Sequence, residues 1–227
     1  MKKCIGILGG MGPLATAKFL EKIVERTPIK SEQDHIDLII YSKPSLPDRT
    51  AYILDKTKES PVKRMNTYIK ELGEKVDLVV IPCMTAMYFY EEIRDGKAVV
   101  YFPQVVLAEV IKQGHRRIGI LATEGTRVGR VFERCVEQCF KDVGLTIIFP
   151  EEKVQEQVMS VIYGIKKGEG VDVERVEYIL EEMKAYAPDV ILLACTELSL
   201  IKGMYPEEVL YVDTLEVLAR YTIEWAG

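Results

Sequence analysis

Three short blocks of this 227-residue chain recur once each, in the same order and at nearly constant spacing. Ile5-Gly6-Ile7-Leu8 returns as Ile118-Gly119-Ile120-Leu121 after 113 positions. Asp77-Leu78-Val79-Val80-Ile81-Pro82-Cys83 returns as Asp189-Val190-Ile191-Leu192-Leu193-Ala194-Cys195 after 112, and Val99-Val100-Tyr101-Phe102 answers Val209-Leu210-Tyr211-Val212 after 110. One apolar run matches another by chance often; three matches in register do not. The chain is therefore read as two halves built on one plan, divided at 1–103 and 104–212.

Within each half, short runs rich in Val and Ile alternate with helical patterns. The runs are Cys4–Leu8, Ile36–Tyr41, Val76–Ile81 and Ala98–Phe102, then Arg117–Leu121, Leu145–Phe149, Val190–Ala194 and Val209–Val212. Being apolar at nearly every position, they suit strands buried on both faces. Val62, Met65, Ile69 and Leu72 keep helical spacing up to Gly73, and Val173, Val176, Leu180 and Met183 do the same before Pro188. Strand–helix alternation predicts right-handed crossovers and parallel sheets. The fold class is thus α/β: two similar βα lobes with mostly parallel four-stranded sheets and a pseudo-two-fold repeat. Ligands of such sheets sit beyond the carboxyl ends of the strands, here in the cleft between the lobes.

Composition narrows the function. With 48% apolar and 29% charged residues the chain can bury a core, and a net charge of −5 argues against nucleic acid as the main partner. The apolar runs are strand-length, so no membrane span is expected. Gly6, Gly9 and Gly10 interrupt any apolar leader, and five cysteines in a chain this long fit a reducing cytoplasm better than a disulfide scaffold.

Two of those cysteines carry chemistry. Cys83 and Cys195 occupy equivalent places in the repeat, each at the end of a predicted strand and just before a predicted helix start. Facing lobes would bring them to one cleft from opposite sides, and helix N-termini there would favour thiolates. Two thiols so placed suit a reaction in which one removes a proton from one face of a carbon and the other returns a proton to the opposite face. Cys135 and Cys139 lie on an apolar helix stripe and read as core, and Cys4 opens the first strand. The only histidines, His35 and His115, sit beside strand starts, away from the catalytic edge, so neither a histidine base nor a metal site is expected.

The first turn, Gly9-Gly10-Met11-Gly12-Pro13-Leu14-Ala15, matches the G-x-G-x-x-A dinucleotide pattern. The second strand nevertheless ends Tyr41-Ser42-Lys43, without the acidic residue that would hold a ribose, and the same loop can offer its amides to a carboxylate. Arg49, in a loop stiffened by Pro44 and Pro47, and Lys166, after a helical pattern in the second half, are the candidate cations for a carboxylate.

The motifs Gly9-Gly10-Met11-Gly12-Pro13-Leu14-Ala15-Thr16, Pro47-Asp48-Arg49-Thr50, Pro82-Cys83-x-Thr85-Ala86 and Cys195-Thr196-Glu197-Leu198 occur in order over nearly the whole chain. Together they resemble the aspartate/glutamate racemase family, in the form of its aspartate racemase branch. The resemblance implies a cofactor-independent amino-acid racemase, usually a homodimer, acting on a small amino-acid or dicarboxylic acid substrate. It implies that Cys83 and Cys195 are the acid/base pair and that Arg49 and Lys166, rather than Lys167, meet substrate carboxylates. It places Met11, Thr50, Met84, Thr85, Thr123, Thr196 and Glu197 in substrate-lining segments, and it sends the C-terminal helix, 213–227, back onto the first lobe. Where the family usually reads Cys-Asn-Thr-Ala-His, this chain reads Cys83-Met84-Thr85-Ala86-Met87, so a thioether replaces an amide. Other readings are an isomerase or decarboxylase of the same superfamily, a carboxylate-binding protein without turnover, and a nucleotide-binding protein.

Overall fold

A computed structural model describes residues 3–94, 98–201 and 210–227. The first half runs β1 (Cys4–Gly9), α1 (Pro13–Arg26), β2 (Asp37–Ser42), α2 (Arg49–Leu54), α3 (Val62–Gly73), β3 (Leu78–Val80) and α4 (Tyr90–Ile93), and α5 (Phe102–Lys112) spans the expected division at 103/104. The second runs β4 (Arg117–Leu121), α6 (Glu124–Val128), α7 (Val131–Cys139), β5 (Thr146–Ile148), α8 (Glu152–Lys167), α9 (Val173–Lys184), β6 (Val190–Leu193), β7 (Tyr211–Asp213) and α10 (Thr214–Ala226). All strand pairs are parallel, in the orders β2-β1-β3 and β5-β4-β6-β7. The repeated blocks match in space as well: β1 lies between β2 and β3 as β4 lies between β5 and β6.

The lobes differ at the fourth strand. In the first, the expected run Ala98–Phe102 contributes only a parallel bridge between Val79 and Val99. Phe102 already begins α5, with Pro103 in its first turn, where a missing N–H is harmless; a ladder could not have used that residue as a donor. In the second lobe β7 is a full partner of β6 but begins at Tyr211; Val209 of the expected run lies outside the described residues.

Side-chain alternation divides the second lobe's core. Val190, Leu192 and Ala194 face the same cluster as the first sheet, together with Phe102 and Val106 of α5, Phe132 of α7 and Leu218 of α10. Ile191, Leu193 and Cys195 face a second cluster beneath α8 and α9. One core thus runs through both lobes on one side, and Cys195 is aimed at α8 on the other. The helical stripes hold in α3 (Met65, Ile69, Leu72) and α9 (Val176, Ile179, Leu180, Met183), although Val173 at the start of α9 is exposed. Cys135 is buried in the main core as expected, whereas Cys139, one turn later, faces solvent.

Gly10 shows what the glycine-rich turn is for. Its φ is +89°, and a Cβ there would lie 2.2 Å from the Lys43 nitrogen in the loop after β2. The glycine lets these two loops touch at the sheet's carboxyl edge. The last helix, α10, packs against α1 and α5. It is fastened at its start by Lys22, which lies 3.0 Å from Asp213 and 3.1 Å from Glu216.

Leu218 on α10 is fully buried, while Arg220 makes an exposed ion pair with Glu109. Leu218→Ala is expected to cost about 2–5 kcal/mol of folding free energy and Arg220→Ala at most about 1 kcal/mol in urea denaturation.

Candidate active site

The carboxyl ends of the two sheets meet at one chamber. Met11, Asp48, Arg49, Thr50, Cys83, Met84 and Thr85 line it from the first lobe, and Thr123, Lys166, Ala194, Cys195, Thr196 and Glu197 from the second. All eleven site residues expected from the sequence are on this wall. Asp48 and Ala194 were not anticipated. Asp48 was legible as the capping residue of α2, since its Oδ1 accepts the Ala51 N–H at 2.9 Å.

The chamber is shut. The space open to the centre of a water molecule is ≈ 10 Å³, roughly enough for one water. Met11, Asp48, Arg49, Lys166 and Glu197 also line a wider vestibule of ≈ 260 Å³, walled otherwise by residues such as Gly12, Pro44 and Ile165. Bonds between the lobes ring the chamber. Thr85 meets Thr123 at 2.8 Å and Thr126 at 3.1 Å, all three hydroxyls buried. The Tyr163 hydroxyl donates to Asp48 at 3.3 Å, and the Gly12 N–H to Glu197 Oε1 at 3.2 Å. Tyr163 lies one helical turn before Lys166, and that i, i+3 relation was visible in the sequence.

Two cations serve this space. Arg49 is 8% exposed, yet among the described residues its guanidinium donates only to the carbonyls of Leu46, Pro47 and Met11, at 3.0–3.4 Å. Its Nε–H is buried without a partner, and among the described residues no carboxylate lies within ion-pair distance of it. A buried guanidinium with spare donors suits an anionic ligand. Lys166 rises from the exposed end of α8, its ammonium 5.1 Å from the centre of the Tyr163 ring. Desolvation pulls its pKa down, but the fields of Cys195, Glu197 and Cys83 prevail and hold it above its ordinary value. Lys167 points elsewhere and pairs loosely with Glu169 in solvent.

Both thiols are 6% exposed. Their settings correct the expectation of helix N-termini. Each cysteine is succeeded by a short 3-10 turn, Thr85–Phe89 or Thr196–Ile201, rather than an α-helix, so little dipole accumulates there. Cys195 instead donates to Glu197 Oε2 at 3.0 Å. Burial first, and then the Glu197 charge, push its thiol well above the usual range, with Lys166 opposing. The histidines lie away from the chamber, and among the described residues no group of ligating side chains could hold a metal ion. No helix among them is long and apolar enough to cross a membrane.

The profile of the Asp/Glu/hydantoin racemase family matches residues 8–222. The chain is 26% identical to the broad specificity amino-acid racemase RacX of Bacillus subtilis, over 96% of each protein. Among solved structures it resembles the aspartate racemase of Picrophilus torridus, with 28% identity and a TM-score of 0.84 over 99% of this chain and 94% of that one. A glutamate racemase from Francisella tularensis, solved with D-glutamate, shares the fold at 16% identity, with a TM-score of 0.65 over 99% of this chain and 81% of that one.

Gly125 of α6 lies against Thr50, and a Cβ there would sit 2.7 Å from Thr50 Oγ1 and 2.8 Å from its Cα. Gly125→Ala is expected to pry this seam apart at a cost of about 1–3 kcal/mol. Hydrogen exchange should show lost protection in α2 and α6 while β1 and β4 stay protected.

Proposed function

The chain belongs to the Asp/Glu/hydantoin racemase family and is an amino-acid racemase, and we propose that it inverts a free amino acid with two thiols and no pyridoxal cofactor. The observation that carries this reading is the shared chamber: Cys83 and Cys195, from equivalent strand ends, line one closed space beside a buried arginine with an unpartnered donor. The substrate α-carboxylate is held by Arg49. One cysteine, as thiolate, takes the α-proton; the other, as thiol, delivers a proton to the opposite face and is left as thiolate. Which does which depends on the enantiomer bound. Negative charge developing on the carboxylate is met by the buried Arg49 guanidinium, whose Nε–H is unpartnered, in a chamber with little room for water.

The chamber must open to admit substrate. On this reading the bodies that part are residues 1–103 with the closing helix 213–227, and residues 104–212. The protein works as a cytoplasmic homodimer, a state that sedimentation would check. With Arg49 on the α-carboxylate, Lys166 on the same wall is left for a second carboxylate, which favours an acidic amino acid. A second reading, an amino acid with an apolar or longer side chain, is favoured by Met84, which lines the chamber where the family usually has asparagine.

Purified protein in D₂O with a panel of L- and D-amino acids should exchange the α-proton of its substrate, monitored by NMR. Cys83→Ala and Cys195→Ala should each lower racemisation at least about a thousandfold, ~4 kcal/mol in the barrier. Arg49→Lys keeps the charge but loses the fork, and should cost about 10- to 100-fold in kcat/KM. A single required cysteine would favour another isomerase or a decarboxylase, and tight binding without exchange a carboxylate-binding protein.

A further inference from the structure

The duplication places one residue two positions after each thiol, and the two residues differ. After Cys83 it is Thr85; after Cys195 it is Glu197. The Thr85 hydroxyl is engaged by Thr123 and Thr126. Glu197 turns to its own thiol: Oε2 accepts from Cys195 Sγ at 3.0 Å, and Oε1 accepts the Gly12 N–H from the other lobe at 3.2 Å. At 2% exposure this carboxylate is fixed by both bonds and has little water to share its charge with.

We propose that Glu197 is a positioning residue that makes the two thiols unequal: in the substrate-free enzyme it holds Cys195 as the neutral thiol, so that Cys195 rests as proton donor. A thiol donating to a fixed carboxylate loses that bond and gains a like charge 3.0 Å away when it ionises. Lys166 from α8 and the Glu197 backbone N–H oppose this effect, and Arg49 and Cys83 face the same space from the first lobe. Asp48 is held off by Ala51 and Tyr163. The sum of these fields favours the thiol at Cys195. For the enantiomer that needs Cys195 as base, the proton must first leave Sγ. It passes to Glu197 Oε2, or to water when the chamber opens.

This inference rests on the two-thiol reading, but its test reads protonation and not turnover. Because a racemisation has an equilibrium constant of one, both directions share one kcat/KM at every pH, and that parameter hides the asymmetry. Instead, the wild type, Glu197→Gln and Glu197→Asp are alkylated with iodoacetamide across a pH series, and the rates at Cys83 and Cys195 are read separately by peptide mass spectrometry. The alkylation midpoint of Cys195 should lie above that of Cys83. Glu197→Gln, which keeps a carbonyl for the Gly12 N–H, should lower the Cys195 midpoint by about one pH unit, ten times more thiolate at a given pH. Glu197→Asp, which keeps the charge, should leave it raised. A merely structural role would quicken alkylation at every pH without moving the midpoint. Coincident midpoints in the wild type, or an unmoved Cys195 midpoint in Glu197→Gln, would overturn the proposal. Turnover surviving in Cys83→Ala or Cys195→Ala would overturn the two-thiol reading instead, whatever the alkylation shows.

Discussion

Parallel strands cannot be joined by tight hairpins. Each needs a crossover that carries the chain back along the sheet, so every strand of a parallel sheet ends at the same edge. Here that constraint acts twice, and the two edges meet. The residues just beyond β1, β3, β4 and β6 must gather in one place, and among them are Met11, Cys83, Thr123 and Cys195. Alternation along β6 does the rest. Ala194 goes to the shared core and Cys195 to the side of α8, the helix that carries Lys166. The site's composition thus stems from strand direction and side-chain parity before any particular bond is considered.

Electrostatics at that junction trade stability for readiness. Arg49 is buried against carbonyls with, among the described residues, no carboxylate within ion-pair distance, and its Nε–H is left over. Burying a cation that way costs several kcal/mol, which a folded protein must offset elsewhere. The offset is visible in the continuous apolar core through α5, α7 and α10 and in the bonds that ring the chamber. A carboxylate entering the chamber would supply the missing counter-charge beside Cys83 and Cys195. Glu197 serves two ends at once: one carboxylate both ties Gly12 to the second lobe and occupies the Cys195 thiol.

Much of this was legible in the sequence. The repeat revealed the two lobes because buried parallel strands repeat their apolar runs almost residue for residue. The cysteine pair stood out because equivalent positions of a duplicated sheet end in one cleft. Other features were not local enough to read. Tyr101-Phe102-Pro103 looks like a strand end, but only the packed lobe shows that pairing stops at Val99 and a helix begins. The turns after Cys83 and Cys195 are 3-10 rather than α-helical, a distinction the apolar pattern does not carry. Cys139 shares the spacing of Cys135 yet faces solvent, because α7 is covered on one side only. Lys166 and Lys167 are neighbours of the same type, and only the pitch of α8 separates them. The Glu197 contact is set by the fold, since nothing in Cys195-Thr196-Glu197 says that the carboxylate folds back on the sulfur.

A two-thiol racemisation requires that both sulfurs address one carbon from opposite sides. A crystal structure of the enzyme with its amino acid bound would decide whether they do. The Cα should lie between Cys83 Sγ and Cys195 Sγ, one sulfur on each face, with the α-carboxylate on Arg49. Both sulfurs on one face, or a Cα within reach of only one of them, would contradict the mechanism.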